Sequence, residues 1–298
     1  MGVGIRQVGE CFAGEVTGID LTEPLSIENV NAIHEGMDKY AVLTFREQPL
    51  TAEEQLAFSK QLGDIEHAIG TSLREDKDAR LPSTFADVSN LDKEDRPFDI
   101  NDRRRLFAIG NRLWHSDSSF KVVPAKYSIL HAISIPSKGG NTEFAHMPSA
   151  YDALDDEIKE ELDGLICEHS QIFSRQQVGF TGFTDEEIDR FKPVRQTLIR
   201  KHPATGRKSL YLSSHAGRID GLSVPDAKLL LLDLVNHATQ QKFVYVHEWQ
   251  KGDLVMWDNR QTMHRVRPFP VDEPRDCLLY TSDAADDMQC VDLGGRRI

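Results

Sequence analysis

The sequence predicts a mainly β fold with covering helices, a double-stranded β-helix or jelly roll. Three observations carry this. Short apolar stretches of strand length outnumber helical ones, they lack the strand–helix alternation of a parallel sheet, and no GxGxxG follows any of them. The 298 residues contain no internal repeat and no low-complexity linker, so residues 1–276 read as one continuous domain.

Turn signals alternate with Val8, Phe12, Val16 and Ile19 near the start, predicting a strand pair. Ser26 opens a helix with Val30, Ile33 and Met37 on one face. Residues 41–45 are a short apolar strand. Thr51-Ala-Glu-Glu54 is a capping box, in which the hydroxyl takes a free amide and Glu54 reaches back, so a helix runs to Gln61. Residues 70–105 are polar and charged. Apart from a strand at 85–88 they read as a long loop or lid, a usual place for substrate-gating groups, and Arg103-Arg-Arg105 within it reads as solvated. Strands follow at 127–135 and 142–144. Helices are expected at 149–162 and 224–239, the second with Leu229, Leu232 and Val235 facing the core. Strands resume at 194–200, 209–212, 243–247, 253–256 and 263–266.

The stretch Cys277-Leu-Leu-Tyr-Thr-Ser-Asp-Ala-Ala-Asp286 looks like an in-frame translation of a sequencing-library adapter. Residues 277–298 therefore read as a non-native tail, and the native last strand as lost.

A net charge of −13 argues against a nucleic-acid or anionic-membrane partner, because the overall field repels phosphate. A small anionic substrate stays compatible, since salt screens distant charges beyond roughly 8 Å. No apolar run approaches a membrane span, and the N-terminus has no signal-peptide core, so the cytoplasm is the expected location. Cys11, Cys167, Cys277 and Cys290 have no metal or disulfide spacing and read as incidental thiols.

The strongest local signal is Trp114-His-Ser-Asp117. On a strand, residues two apart point to one side, so His115 and Asp117 can meet one ion. Alone, the pair better suits a hydrogen-bonded strand histidine and a turn-forming aspartate; the distal histidine, the arginine after it and Thr142 change that balance. The segment Asp258-Asn-Arg-Gln-Thr-Met-His264 offers a third ligand, with Asp258 and Asn259 setting the turn before it. Two imidazoles and a carboxylate on one face of an octahedron make the facial triad of non-haem Fe(II) oxygenases. Arg275, eleven residues past His264, could return on a hairpin and fork onto a carboxylate, with Thr142 adding a hydroxyl; it could equally be a surface charge.

With these pieces in place the chain resembles the taurine dioxygenase family of Fe(II)/α-ketoglutarate enzymes, and most of all its dichlorophenoxyacetate dioxygenase branch. The matching stretches are Asn111-Arg-Leu-Trp-His-Ser-Asp-Ser-Ser-Phe120, Gly139-Gly-Asn-Thr-Glu-Phe144, Ala150-Tyr-Asp-Ala-Leu154, His202-Pro-Ala-Thr-Gly-Arg207, Gly252-Asp-Leu-Val-Met-Trp-Asp-Asn-Arg260 and His264-Arg265. The resemblance implies metal binding by His115, Asp117 and His264, and cosubstrate binding by Thr142 and Arg275. It puts His215 in the pocket wall, while Asn111 either touches substrate or braces the His115 segment. It also implies Fe(II) as metal, α-ketoglutarate as cosubstrate, O2 as co-reactant, release of succinate and CO2, and a homo-oligomer. The implied reaction hydroxylates a small carboxylate such as an aryloxyacetate, whose ether then collapses to a phenol and glyoxylate. A sulfonate substrate and a catalytically silent jelly-roll binding protein are the competing readings. The chain departs from the family at Leu279, where a second arginine is usual.

Overall fold

In the computed structural model, residues 2–66 and 86–283 are described. The part of the expected lid at 70–85 and the tail from 284 lie outside the described residues, as does Phe85 of the expected strand.

The chain opens with a hairpin of β1 (Gly4–Gln7) and β2 (Gly14–Thr17). Helix α1 (Ile27–Tyr40) starts where Ser26 takes the amide of Asn29, and leads into β3 (Val42–Phe45). Helix α2 (Ala52–Lys60) carries the full Thr51–Glu54 capping box. Next come β4 (Ala86–Asp87) and α3 (Arg103–Ala108), which a 3-10 turn at Ile109–Arg112 extends toward the HxD segment. Arg103 to Arg105 thus start a helix and are not a loop. Asp102 caps it, and Arg103 bonds both oxygens of Glu187 at 3.0 and 2.5 Å.

The centre of the chain supplies β5 (Ala125–Ser134), β6 (Thr142–His146), α4 (Met147–Asp152), α5 (Asp156–Leu162), β7 (Ile166–His169), α6 (Gln171–Gln177) and α7 (Asp185–Arg190). The helix expected at 149–162 is therefore two, broken before Asp155 and Asp156 begin α5. Then come β8 (Val194–Thr197), β9 (Ile199–Lys201), β10 (Lys208–Leu210), β11 (Ala216–Ile219), α8 (Val224–Ala238), β12 (Val244–His247), β13 (Leu254–Asp258), β14 (Thr262–Val266) and β15 (Asp276–Asp283).

Among the described residues, one sheet runs β1-β2-β3-β13-β5-β15-β4 and a smaller one β12-β6-β14. Their facing sides share one apolar core: Val42, Leu130, Val255, Trp257, Cys277 and Leu279 from the large sheet meet Phe144 from the small one. On the far side of the large sheet, Ile33 and Met37 of α1 and Phe58 of α2 cover Leu43, Phe45, Ile129, Leu254, Leu278 and Tyr280. Strands buried on both faces explain the unbroken apolar runs.

Two expectations need correction. The place of the last strand is not empty: residues from Asp276 pair with β5 and β4, and the alternation Cys277/Leu279 inward, Leu278/Tyr280 outward is what a doubly covered strand requires. On α8, Leu229 and Leu232 are 60% and 54% exposed, while Ala227, Leu231, Leu234 and Ala238 face the core.

Candidate metal centre

His115 and His264 are joined before any ion is considered. They exchange both backbone hydrogen bonds, N–H to O at 3.0 and 2.8 Å, as a short antiparallel bridge. Their rings stand 4.2 Å apart. Asp117, two residues on, brings Oδ1 to 3.7 Å from Nε2 of each histidine. The three donor atoms lie within 4.8 Å of one another and could hold one metal ion.

The second layer of contacts prepares these donors. His115 Nδ1 donates to the Leu113 carbonyl at 2.8 Å, which leaves the Nε2 lone pair for a ligand role. Ser128 donates to Asp117 Oδ2 at 2.7 Å, and Asn259 Nδ2 donates to Ser128 at 2.8 Å. The Asn259 carbonyl in turn accepts the Asp117 amide at 3.1 Å and Trp257 Nε1 at 3.1 Å. Asn259 thus braces the carboxylate ligand and not an imidazole. Phe144 and Trp257 pack their rings against His264 at 6.0 and 4.7 Å.

Burial favours the neutral form of all three groups. It keeps the His115 and His264 imidazoles neutral, with pKa values below the ordinary range, and it raises that of Asp117. Neutral imidazoles are the ligand form, and a carboxylate whose charge is penalised by burial gains most from a cation beside it. The donor set therefore fits a divalent iron with open positions. Beyond the ligands, burial alone would raise Asp258, but Arg260 and His202 hold its carboxyl well below the usual range.

Thr142 opens β6 at one end of the small sheet, and Arg275 packs beside Gly140, two residues before it. In β6, Thr142 pairs with Val266 and Phe144 pairs with His264, so the Thr142 hydroxyl shares the face of His264, two residues along. That step is about 7 Å. Trp249 Nε1 donates to Thr142 Oγ1 at 2.9 Å, so the threonine proton is left to donate outward. Arg275 is buried; its amide is held by Asn90 Oδ1 at 2.8 Å, and its Nε lies 3.8 Å from where a Cβ on Gly140 would stand. Asn111 accepts Arg175 Nη2 at 3.2 Å. His215 is buried with its ring edge-on to His115 at 6.0 Å and to Phe120 at 4.9 Å. Leu279 lies in the core between the sheets.

The chain matches the model of the family described as "Taurine catabolism dioxygenase TauD, TfdA family" over residues 4–281. It belongs to that family. Among its relatives, the α-ketoglutarate-dependent 2,4-dichlorophenoxyacetate dioxygenase of Cupriavidus pinatubonensis is 40% identical over 276 residues, 91% of this chain and 94% of that protein. The (S)-phenoxypropionate/α-ketoglutarate dioxygenase of Sphingobium herbicidovorans is 33% identical, covering 95% of both. A solved structure of AAD-2 in complex with Mn(II) and N-oxalylglycine superimposes with a TM-score of 0.93 at 53% identity, covering 95% of this chain and 98% of that one. The protein is accordingly an Fe(II)- and α-ketoglutarate-dependent dioxygenase.

Four parts of the dioxygenase site lay outside the sequence reading: Ser128, Trp249, Asn90 and Arg175. Trp249, Asn90 and Arg175 each act across more than sixty residues of chain, Ser128 reaches Asp117 across eleven, and none carries a local spacing signal.

Proposed function

We propose that this dioxygenase, built on a double-stranded β-helix, hydroxylates an aryloxyacetate on the carbon beside the ether oxygen, giving a phenol and glyoxylate. In this reading His115, Asp117 and His264 hold Fe(II), Thr142 and Arg275 hold the far carboxylate of α-ketoglutarate, and Asn111 and His215 border the substrate. The observation that carries it is the approach of both Nε2 atoms to 3.7 Å from one Asp117 oxygen. The fit to iron rests on the ready Nε2 tautomer of His115 and on the penalty that burial imposes on a bare Asp117 charge. When bound, the iron supplies oxygen activation coupled to decarboxylation of the ketoacid to succinate and CO2.

The protein's own work is positional. The His115–His264 bridge sets the ligand spacing, and the Ser128–Asn259 pair orients the carboxylate. The outward Thr142 proton and the Arg275 fork offer donors only, which suits a carboxylate acceptor. Phe144 and Trp257 keep water from one side of His264. Two relatives named for aryloxyalkanoate substrates support the substrate class. A homo-oligomer in the cytoplasm and a non-native origin for 277–298 belong to the same reading. Sedimentation, and comparison with the chromosomal sequence, would check them.

Anaerobic Fe(II) plus α-ketoglutarate should give a weak visible charge-transfer band that Asp117→Ala abolishes. A folded protein with no band would end the assignment of the ligands. Aryloxyacetates should stimulate succinate release more than taurine does; the reverse ranking would move the substrate to the sulfonates.

A further inference from the structure

Arg175 of α6 is only 5% exposed, yet among the described residues its guanidinium forms no ion pair. Nη1 donates to Ser174 Oγ at 3.0 Å and Nη2 to Asn111 Oδ1 at 3.2 Å, both neutral acceptors, and Nε has no partner. The group is nonetheless held firmly. It lies 4.3 Å over the Phe107 ring, and a Cβ on Gly110 would come within 2.4 Å of Nη1, so the turn is bare glycine where the guanidinium passes. Its charge is felt at His115, Asp117 and His215. The neighbouring His215 Nδ1 is also buried and unpartnered.

A fixed, buried cation with no carboxylate in ion-pair range, on which Asp117 acts only from farther off, is costly, and the cost is offset when an anion docks against it. Of five guanidinium protons, two go to Ser174 and Asn111. Three remain, and Nε with a free Nη proton makes a fork of the spacing a carboxylate accepts. We propose that Arg175 is the residue that recognises the acid group of the substrate. This rests on the aryloxyacetate reading above and adds the source of its acid selectivity.

The test uses the full chain loaded with Fe(II) and α-ketoglutarate without oxygen. Calorimetry compares binding of 2,4-dichlorophenoxyacetate with that of its neutral amide, and the visible band reports α-ketoglutarate binding separately. In the wild type the acid should bind more tightly than the amide. Arg175→Gln should weaken the acid by about ten- to a hundredfold while leaving the amide and α-ketoglutarate unchanged, and Arg175→Lys should recover part of the loss. Gly110→Ala keeps the charge but pushes it aside, so it should weaken the acid in the same selective way; it serves if Arg175→Gln does not fold. An unchanged acid-to-amide ratio in the folded variants, or an equal loss of α-ketoglutarate, would overturn the assignment while leaving the function intact. If the wild type binds no aryloxyacetate, the function reading fails first and this inference with it.

Discussion

Asp117 depends on partners drawn from two other strands, Ser128 within β5 and Asn259 just after β13. Ser128→Ala removes the donor on Oδ2 and leaves the carboxylate free to rotate. Metal affinity should drop about 10- to 100-fold, read by Fe(II) titration of the visible band, with the melting temperature little changed. A different residue contributes to the acid limb of stability, as the similarly buried His146 does. Burial holds His169 neutral in the fold, with its pKa down to about 3 from 6.5, and its ring stacks on Tyr211 at 5.6 Å. The unfolded chain therefore binds the extra proton first. This contribution to stability is full above pH 6.5 and is lost progressively as pH falls from 6.5 toward 3. Urea melts across that window should show a shallower acid slope for His169→Gln than for the wild type.

At the scale of elements, legibility followed whether a signal is local. Ser26 and the Thr51–Glu54 box were readable because a cap is written within four residues of the end it closes. His115 and Asp117 were readable as a pair for the same reason, and His264 by its turn. Helix α8 was misphased because Leu229 to Leu232 are four consecutive leucines, which satisfy any helical face. The true stripe uses the small Ala227 and Ala238, which a search for large apolar residues passes over. The two faces should separate cleanly in unfolding melts: Leu231→Ala should cost about 2–5 kcal/mol, and Leu232→Ala less than about 0.5 kcal/mol. Arg175 was invisible because its meaning lies in Gly110 and Asn111, some sixty residues away.

For the molecule as a whole, β15 is a structural requirement whatever its origin. Truncation after Asp276 would strip Cys277, Leu278, Leu279 and Tyr280 from two cores at once. At about 1.5–3 kcal/mol per buried side chain the loss rivals a typical domain's net stability of about 5–15 kcal/mol. The shortened chain should therefore lack a cooperative melt in circular dichroism; a normal melt would refute the role given to this strand.

The order of the large sheet also bears on how the protein is made. Strand β5 lies between β13 and β15, so both its neighbours are synthesised more than a hundred residues after it. On the ribosome the apolar sides of β5 wait uncovered while more than a hundred further residues are made, and the sheet closes late. Yield in a heterologous host should then depend less on the mature protein's stability than on how well its nascent chain is shielded.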